Sequence, residues 1–260
     1  MVDATISYLA LMNIENWIDP NAPYLPTVVV ALVVVVQSLF GVGVLFLGTP
    51  VLMLMGLPML EILRILHPIS ISVNAIQTVI GWRHIQWKMV KSFVVFALPM
   101  TVLGTLLLKS LLGAALLPVL IAFYLGLVAI GFYFQAFPHM IQWAMKRDVL
   151  YLLLMGLIHG LTNLGGPLLS SFVMAGFSDK EQARATTATC YGLLVIIQLL
   201  TLTMTGTNLW FTQTNLLQIG IAILVFALTN AFVFHRMSNQ KFRLFFGCLL
   251  ILMSILLLLR

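Results

Sequence analysis

The segment Gly56-Leu57-Pro58-Met59-Leu60-Glu61-Ile62-Leu63-Arg64 is echoed 120 positions later by Gly176-Phe177-Ser178-Asp179-Lys180-Glu181-Gln182-Ala183-Arg184. Each copy follows an apolar stretch interrupted by glycine and proline. Paired, broken hydrophobic segments constrain a fold more than any single residue, because they put two irregular backbone breaks at corresponding places in a duplicated unit. With 62% hydrophobic and only 8% charged residues, the chain has too much apolar surface for a soluble domain to bury. The expected fold class is an all-α integral membrane protein. Its two halves form an inverted repeat, each a broken or re-entrant helical hairpin plus three transmembrane helices.

Apolar runs occupy 24–40, 44–55, 60–80, 90–108, 114–137, 149–161, 167–177, 183–204, 216–234 and 242–259. The runs 24–40, 44–55, 149–161 and 167–177 are short. At 1.5 Å per residue, ~12 to 17 residues reach about 18 to 25 Å, less than the roughly 30 Å hydrocarbon core. These short runs form two adjacent pairs, each joined by a glycine-rich break, as two hairpins dipping into a bilayer would.

Charge placement sets the orientation. Arg83, Lys88 and Lys91 share one loop, Lys146 and Arg147 another, Lys180 and Arg184 a third, and Arg236, Lys241 and Arg243 a fourth. All belong on the cytoplasmic side by the positive-inside rule. The uncharged loop 206–215 and the acidic lead-in 1–23, with Asp3, Glu15 and Asp19, then lie outside. Every assignment is met if each hairpin returns to the side it entered from, with both termini outside. One membrane domain spans 1–260, with repeats at about 24–137 and 148–260. Lys109 alone falls on the outer side, and Arg260 snorkels to the outer interface. The lead-in carries no Lys or Arg, which argues against a cleavable signal peptide, and Trp17 and Tyr24 suit headgroup depth. The net charge of +6 is explained by orientation, so no nucleic-acid partner is expected. Cys190 and Cys248 match no metal-ligand spacing and read as free thiols inside helices. No metal or cofactor is expected.

The breaks supply the candidate site. The first reads Phe40-Gly41-Val42-Gly43-Val44 followed by Gly48-Thr49-Pro50, and the second Thr162-Asn163-Leu164-Gly165-Gly166-Pro167. Glycine lets backbone amides approach a ligand, and Pro167 suits the first turn of an outgoing half-helix. Opposed half-helix N-termini offer unpaired N–H groups and positive dipole ends to an anion. The same glycines could instead serve close helix packing. His67, Ser70, Asn74 and Gln77 form a polar stripe after the first hairpin, as do Thr187, Tyr191 and Gln198 after the second. Such stripes face protein or a water-filled path rather than lipid, whether as ligand contacts or as interhelical hydrogen bonds. The substrate-contact candidates are Gly41, Gly43, Thr49, Ser70, Asn74, Asn163, Gly165, Gly166, Thr187 and Gln198.

Glu61 with Arg64, and Glu181 with Arg184, have i, i+3 spacing in a first helical turn, where the acid suits the helix dipole and each pair can satisfy itself. Alternatively Arg64 and Arg184 each guard one mouth of a path and attract an anion. His159, four residues before Asn163, is an ionisable group at membrane depth, and it and His67 are the candidates for proton coupling. His84, His139 and His235 read as interfacial. Hydrolase, metalloprotease and phosphate-loop motifs are absent, and the few carboxylates near spans sit at helix ends, so catalysis is not expected.

From about Pro26 onward the chain resembles the TauE/SafE family of sulfite exporters. The residues that carry the resemblance are Gly41-Val42-Gly43-Val44-Leu45, Pro50 and Gly56-Leu57-Pro58 in the first half. In the second they are Asn163-Leu164-Gly165-Gly166-Pro167 and Gly176, and the segment His84-Ile85-Gln86-Trp87 is similar to a family loop. The chain departs from the family's glycine runs: the first lacks two glycines, and Asn163 stands where glycine is usual. The resemblance implies a secondary transporter that exports sulfite, an organosulfonate or a related oxyanion across the cytoplasmic membrane by alternating access. Its partners would be a small anion and the lipid bilayer, with the oligomeric state open. An anion channel and a non-transporting scaffold are the alternatives.

Overall fold

The computed structural model describes residues 24–111, 120, 121, 123, 124, 147–177, 179–207, 209, 213–238, 240 and 241. The lead-in, most of the run 114–137, the run 242–259, Lys146, Arg243, Arg260, His139 and Cys248 lie outside them. The described regular elements are all helical: α1 Leu25–Phe40, α2 Val44–Leu54, α3 Met59–Ile80, a 3-10 turn Trp82–His84, α4 Trp87–Leu111, α5 Asp148–Thr162, α6 Gly166–Gly176, α7 Lys180–Met204 and α8 Gln213–Thr229. A π-turn, Asn230–Phe234, continues α8. Helices α3, α4, α7 and α8 with its π-turn are long and apolar enough to cross a membrane, and α1, α2, α5 and α6 are not.

Backbone chemistry sets the helix ends at the breaks. α1 stops because Gly41 adopts φ 75°, and α5 stops because Asn163 adopts φ 67°. Among the described residues Asn163 is the one non-glycine with positive φ. Asparagine is the usual substitute for glycine in this left-handed cap, so the departure from the glycine run keeps the turn. Pro167 sits in the first turn of α6, where its missing N–H costs nothing.

Side-chain pairings fix the helix directions. Gly156 packs on Ala97, Gly160 on Thr101 and Thr105, and Gly104 on Leu157 and Leu161, so α4 and α5 run parallel in near-backbone contact. The spacing Gly156-x-x-x-Gly160 is the small-residue pattern that lets membrane helices approach this closely. α3 and α7 run antiparallel: His67 meets Gln198, Asn74 meets Gly192, and Thr78 meets Thr189. α1 runs with α8, from Thr27 beside Gln218 to Ser38, which shares Arg184 with Asn230. Arg83, Lys88, Lys91, Arg147, Lys180 and Arg236 therefore collect at one end of the bundle. Lys109, which donates to the Thr205 carbonyl, lies at the other.

Burial grades from centre to rim. In the apolar windows of α3 and α7, 56% of the residues are buried, against 28% in α4 and 22% in α8. Every residue from Val44 to Pro50 of α2 and from Gly165 to Ser171 at the start of α6 is buried. α3 and α7 thus form the inner pair, and α4 and α8 present Val95, Leu103, Leu216 and Leu224 outward.

Candidate functional site

The two hairpin tips share one backbone plan. The Gly41 amide donates to the Gln37 carbonyl at 2.9 Å, and the Asn163 amide donates to the His159 carbonyl at 2.7 Å. Two residues after each cap the next helix begins its ladder, with Leu47 donating to Gly43 at 2.8 Å and Leu169 to Gly165 at 3.0 Å. The amides ahead of these ladders have no intrahelical partner by geometry. Equivalent tip residues lie 122 positions apart, as Gly43 and Gly165 show, so the connection that follows each hairpin absorbs the difference from the 120-residue echo.

Each tip is latched by a glutamine from the inner helix that follows its hairpin. Gln77 of α3 donates to the Gln37 and Ser38 carbonyls at 3.0 and 3.1 Å. Gln198 of α7 donates to the Gly160 carbonyl at 3.2 Å. Both glutamines thereby satisfy carbonyls in the last turn of an incoming arm, which a helix end otherwise leaves unpaired. The Gln198 carbonyl oxygen also meets His67 Nε2 at 3.1 Å, and His67 Nδ1 lies 2.9 Å from the Leu63 carbonyl. His67 and Gln198 are thus parts of a latch. Ser70 and Asn74 belong to the same polar seam: Asn74 donates to Ser70 at 3.1 Å and accepts from Gln37 at 2.5 Å.

Between the tips the halves touch directly. Asn163 Nδ2 donates to Thr49 Oγ1 at 2.8 Å, joining the second tip to α2. A β-carbon on Gly166 would stand 3.3 Å from Val42 and 3.4 Å from the Tyr191 hydroxyl. One on Gly165 would stand 2.5 Å from the His159 β-carbon. Gly41 abuts the α7 backbone at Arg184 and Ala188, and a β-carbon on it would stand 3.3 Å from the Thr187 β-carbon. Gly43 instead packs back on Gln37 and Val33 of its own hairpin. Gly41, Gly165, Gly166, Thr49, Asn163 and Thr187 therefore come together. Gly43, Ser70, Asn74 and Gln198 serve the walls and latches.

Around this junction lie buried polar atoms with no hydrogen-bond partner: both ring nitrogens of His159, Asn163 Oδ1, and the hydroxyls of Thr187 and Tyr191. His159 and Tyr191 meet edge to face, with centroids 5.6 Å apart. Buried polar groups are nearly always paired in folded proteins, so such a set singles out this junction from the rest of the bundle. The first-turn carboxylates Glu61, Asp148 and Glu181, and the cap Asp179, stand at helix N-termini away from it. The junction is rich in donors and free of fixed negative charge, which suits an anion.

Arg184 differs from the expected i, i+3 pairing with Glu181. Glu181 meets His84 Nε2 at 3.2 Å. Arg184 turns inward, donating to the Ser38 carbonyl at 3.2 Å and to Asn230 Oδ1 at 2.7 Å, with its guanidinium 3.4 Å from the Phe234 ring centre. The π-turn brings Asn230 and Phe234 to the same guanidinium. Arg184 is buried and braces the first tip, whereas Arg64 lies in the opening turns of α3 with its carbonyl accepting from Asn215 at 3.1 Å. His84, which the sequence reads as interfacial, thus stands beside Glu181. Among the described residues no cluster of three metal-ligating side chains occurs, and Cys190 is a buried free thiol.

Gln37, Ser170 and the full role of Tyr191 are not evident from the sequence pattern. Gln37 could have been found by alignment of the tips rather than of the Gly-x-x-x-x-Glu-x-x-Arg echo, since it stands four residues before Gly41 as His159 stands four before Asn163. A family model described as "Sulfite exporter TauE/SafE" matches residues 27–257. No curated protein and no solved structure matches the chain.

Proposed function

Because the chain belongs to the sulfite exporter TauE/SafE family, a family of membrane transporters, we propose that it is a secondary transporter. Its substrate is a small sulfur oxyanion or sulfonate, which it moves outward across the cytoplasmic membrane by alternating access. The observation that carries this reading is the set of unpartnered donors on Tyr191, Thr187 and His159, gathered where two broken hairpins meet. Such midplane junctions, with half-helix N-termini near the ligand, are how secondary transporters hold anions. The repeats are inverted on this reading, in keeping with the antiparallel course of α3 and α7, and the basic end faces the cytoplasm. An inside-negative potential drives an anion outward with about 2.3 kcal/mol per charge per 100 mV, so export needs no second ion.

The test is sulfite flux in proteoliposomes. A carrier saturates and shows counterflow, and flux linear in concentration without counterflow would instead make the protein a channel. Gly165→Leu, which drives a side chain into His159, abolishes flux on this reading. Unchanged flux in correctly folded Gly165→Leu protein would refute the site.

A further inference from the structure

The two tips share a backbone plan but differ in how their outgoing half-helices are capped. In the first, Gln37 reaches across its own turn: its Oε1 accepts the Val44 amide at 3.1 Å and its Nε2 donates to the Gly41 carbonyl at 3.2 Å. The leading N–H of α2 is already occupied by a side-chain oxygen held where an anion's oxygen would sit. The equivalent of Gln37 in the second tip is His159, and the equivalent of Val44 is Gly166. His159 lies against Gly165, both of its ring nitrogens are unpartnered, and it supplies nothing to the α6 amides. Pro167 has no N–H to offer, which leaves the Gly166 and Leu168 amides at the mouth of α6.

A second, independent feature points into this open end. The Tyr191 side chain is fully buried and its hydroxyl has no partner. It stands close to Gly166, with the Phe46 backbone in the first turn of α2 beside it. An unpaired buried hydroxyl costs stability, so its retention beside a free helix N-terminus fits a ligand that completes its bonding.

We infer that the anion site is one-sided: a single small oxyanion docks on the α6 N-terminus, held by the Gly166 and Leu168 amides, the Tyr191 hydroxyl and the His159 ring, while on α2 Gln37 holds the Val44 amide, which corresponds to that of Gly166. This deepens the transporter reading above and rests on it. The ligand presents an unprotonated oxygen to the helix end, as sulfite and sulfonates do, because every group assigned to it there can donate a proton.

The asymmetry supplies its own test, since the first tip shows which residue closes such a site. His159→Gln gives the second tip the Gln37 device, and its side-chain oxygen caps Gly166 in place of the ligand. Purified full-length protein in lipid nanodiscs is titrated with sodium sulfite and with a two-carbon sulfonate, with sulfate as comparison, and thermal stability is read out. Wild type gains stability saturably with sulfite or the sulfonate. His159→Gln has an anion-free Tm at or above that of wild type and binds the same anion at least tenfold more weakly. Tyr191→Phe, which removes an unpaired hydroxyl, keeps the anion-free Tm and also weakens binding at least tenfold. Gln37→Ala lowers the anion-free Tm but keeps the wild-type affinity. Wild-type affinity in folded His159→Gln and Tyr191→Phe, or its loss in Gln37→Ala alone, overturns the one-sided site while leaving the transporter reading standing. If His159→Gln fails to fold, Tyr191→Phe and Gln37→Ala decide between the same outcomes. A wild-type protein that responds to none of these anions overturns the functional reading, and this inference with it.

Discussion

Asn163 does two jobs that pull on different properties of one side chain. Its backbone occupies the left-handed region, φ 67°, and its amide group bonds Thr49 across the repeat boundary. Alanine at 163 forfeits both, at roughly 1–2 kcal/mol for the backbone and about 1 kcal/mol for the hydrogen bond. Glycine forfeits only the second. Chemical or thermal unfolding of the two variants should therefore rank wild type above Asn163→Gly and Asn163→Gly above Asn163→Ala. Equal losses would mean that backbone strain plays no part. The asparagine was legible in the sequence as a departure from a glycine run, but its compatibility with the turn needed a backbone angle. Tyr191 and Ser170 were harder to read, because a buried hydroxyl without a partner looks the same in a sequence as one that bonds a neighbouring helix.

At the scale of the element, glycines divide by what their missing side chain would meet. On Gly160 a β-carbon would strike the Thr101 carbonyl of the parallel helix α4, and on Gly156 the Ala97 carbonyl. Backbone cannot yield as a flexible side chain does. Gly160→Leu should separate α4 from α5, displace the incoming arm of the second hairpin and prevent recovery of folded protein by size-exclusion chromatography. Gly220, midway along α8, meets nothing within 4 Å, so Gly220→Ala should raise stability by about 0.5–1 kcal/mol through helix propensity alone. The latches give a third prediction. Gln77→Leu and Gln198→Leu each leave carbonyls at a hairpin end with one fewer donor, a cost of about 1–3 kcal/mol. Each variant should fold and transport more slowly, with the loss in the maximal rate rather than in apparent affinity, because the latches hold hairpins and not the anion.

Helix limits were the most legible feature at this scale. The apolar run 24–40 became Leu25–Phe40, and the run 60–80 became Met59–Ile80. Hairpin reach was legible too, since four runs too short to span a bilayer came in pairs around glycine. Which polar residues latch and which line the junction was not, because stripe periodicity gives a face and not a partner. Gln77 and Gln198 lie on the same kinds of stripe as Ser70 and Thr187, and only distances separate them. Arg184 makes the same point: its spacing to Glu181 allowed an intrahelical pair, but it found a carbonyl, an amide oxygen and an aromatic face in another part of the chain.

For the whole molecule, the direction of every helix follows once one end is assigned to the cytoplasm, so a small set of accessibility measurements tests the entire arrangement. Arg83, Arg147 and Arg236 gather at one end, while Gly56 and Gly206 lie at turns near the other, each exposed or half-buried. Positive-inside orientation puts the first group in the cytoplasm. Single cysteines at these sites, in a background lacking Cys190 and Cys248, should divide cleanly under a membrane-impermeant thiol reagent. In intact cells the reagent should label positions 56 and 206, and only permeabilised cells should label 83, 147 and 236. The discriminating position is 147, since α5 runs parallel to α4 and must start from the same face as Arg83. If each hairpin amounted to a single crossing of the membrane, position 147 would label from one side and the segment around Lys180 from the other. That outcome would sink the re-entrant hairpins and the inverted repeat. Labelling of 147 and 180 from the cytoplasmic side alone would instead leave the two glycine breaks entering from opposite faces toward one junction.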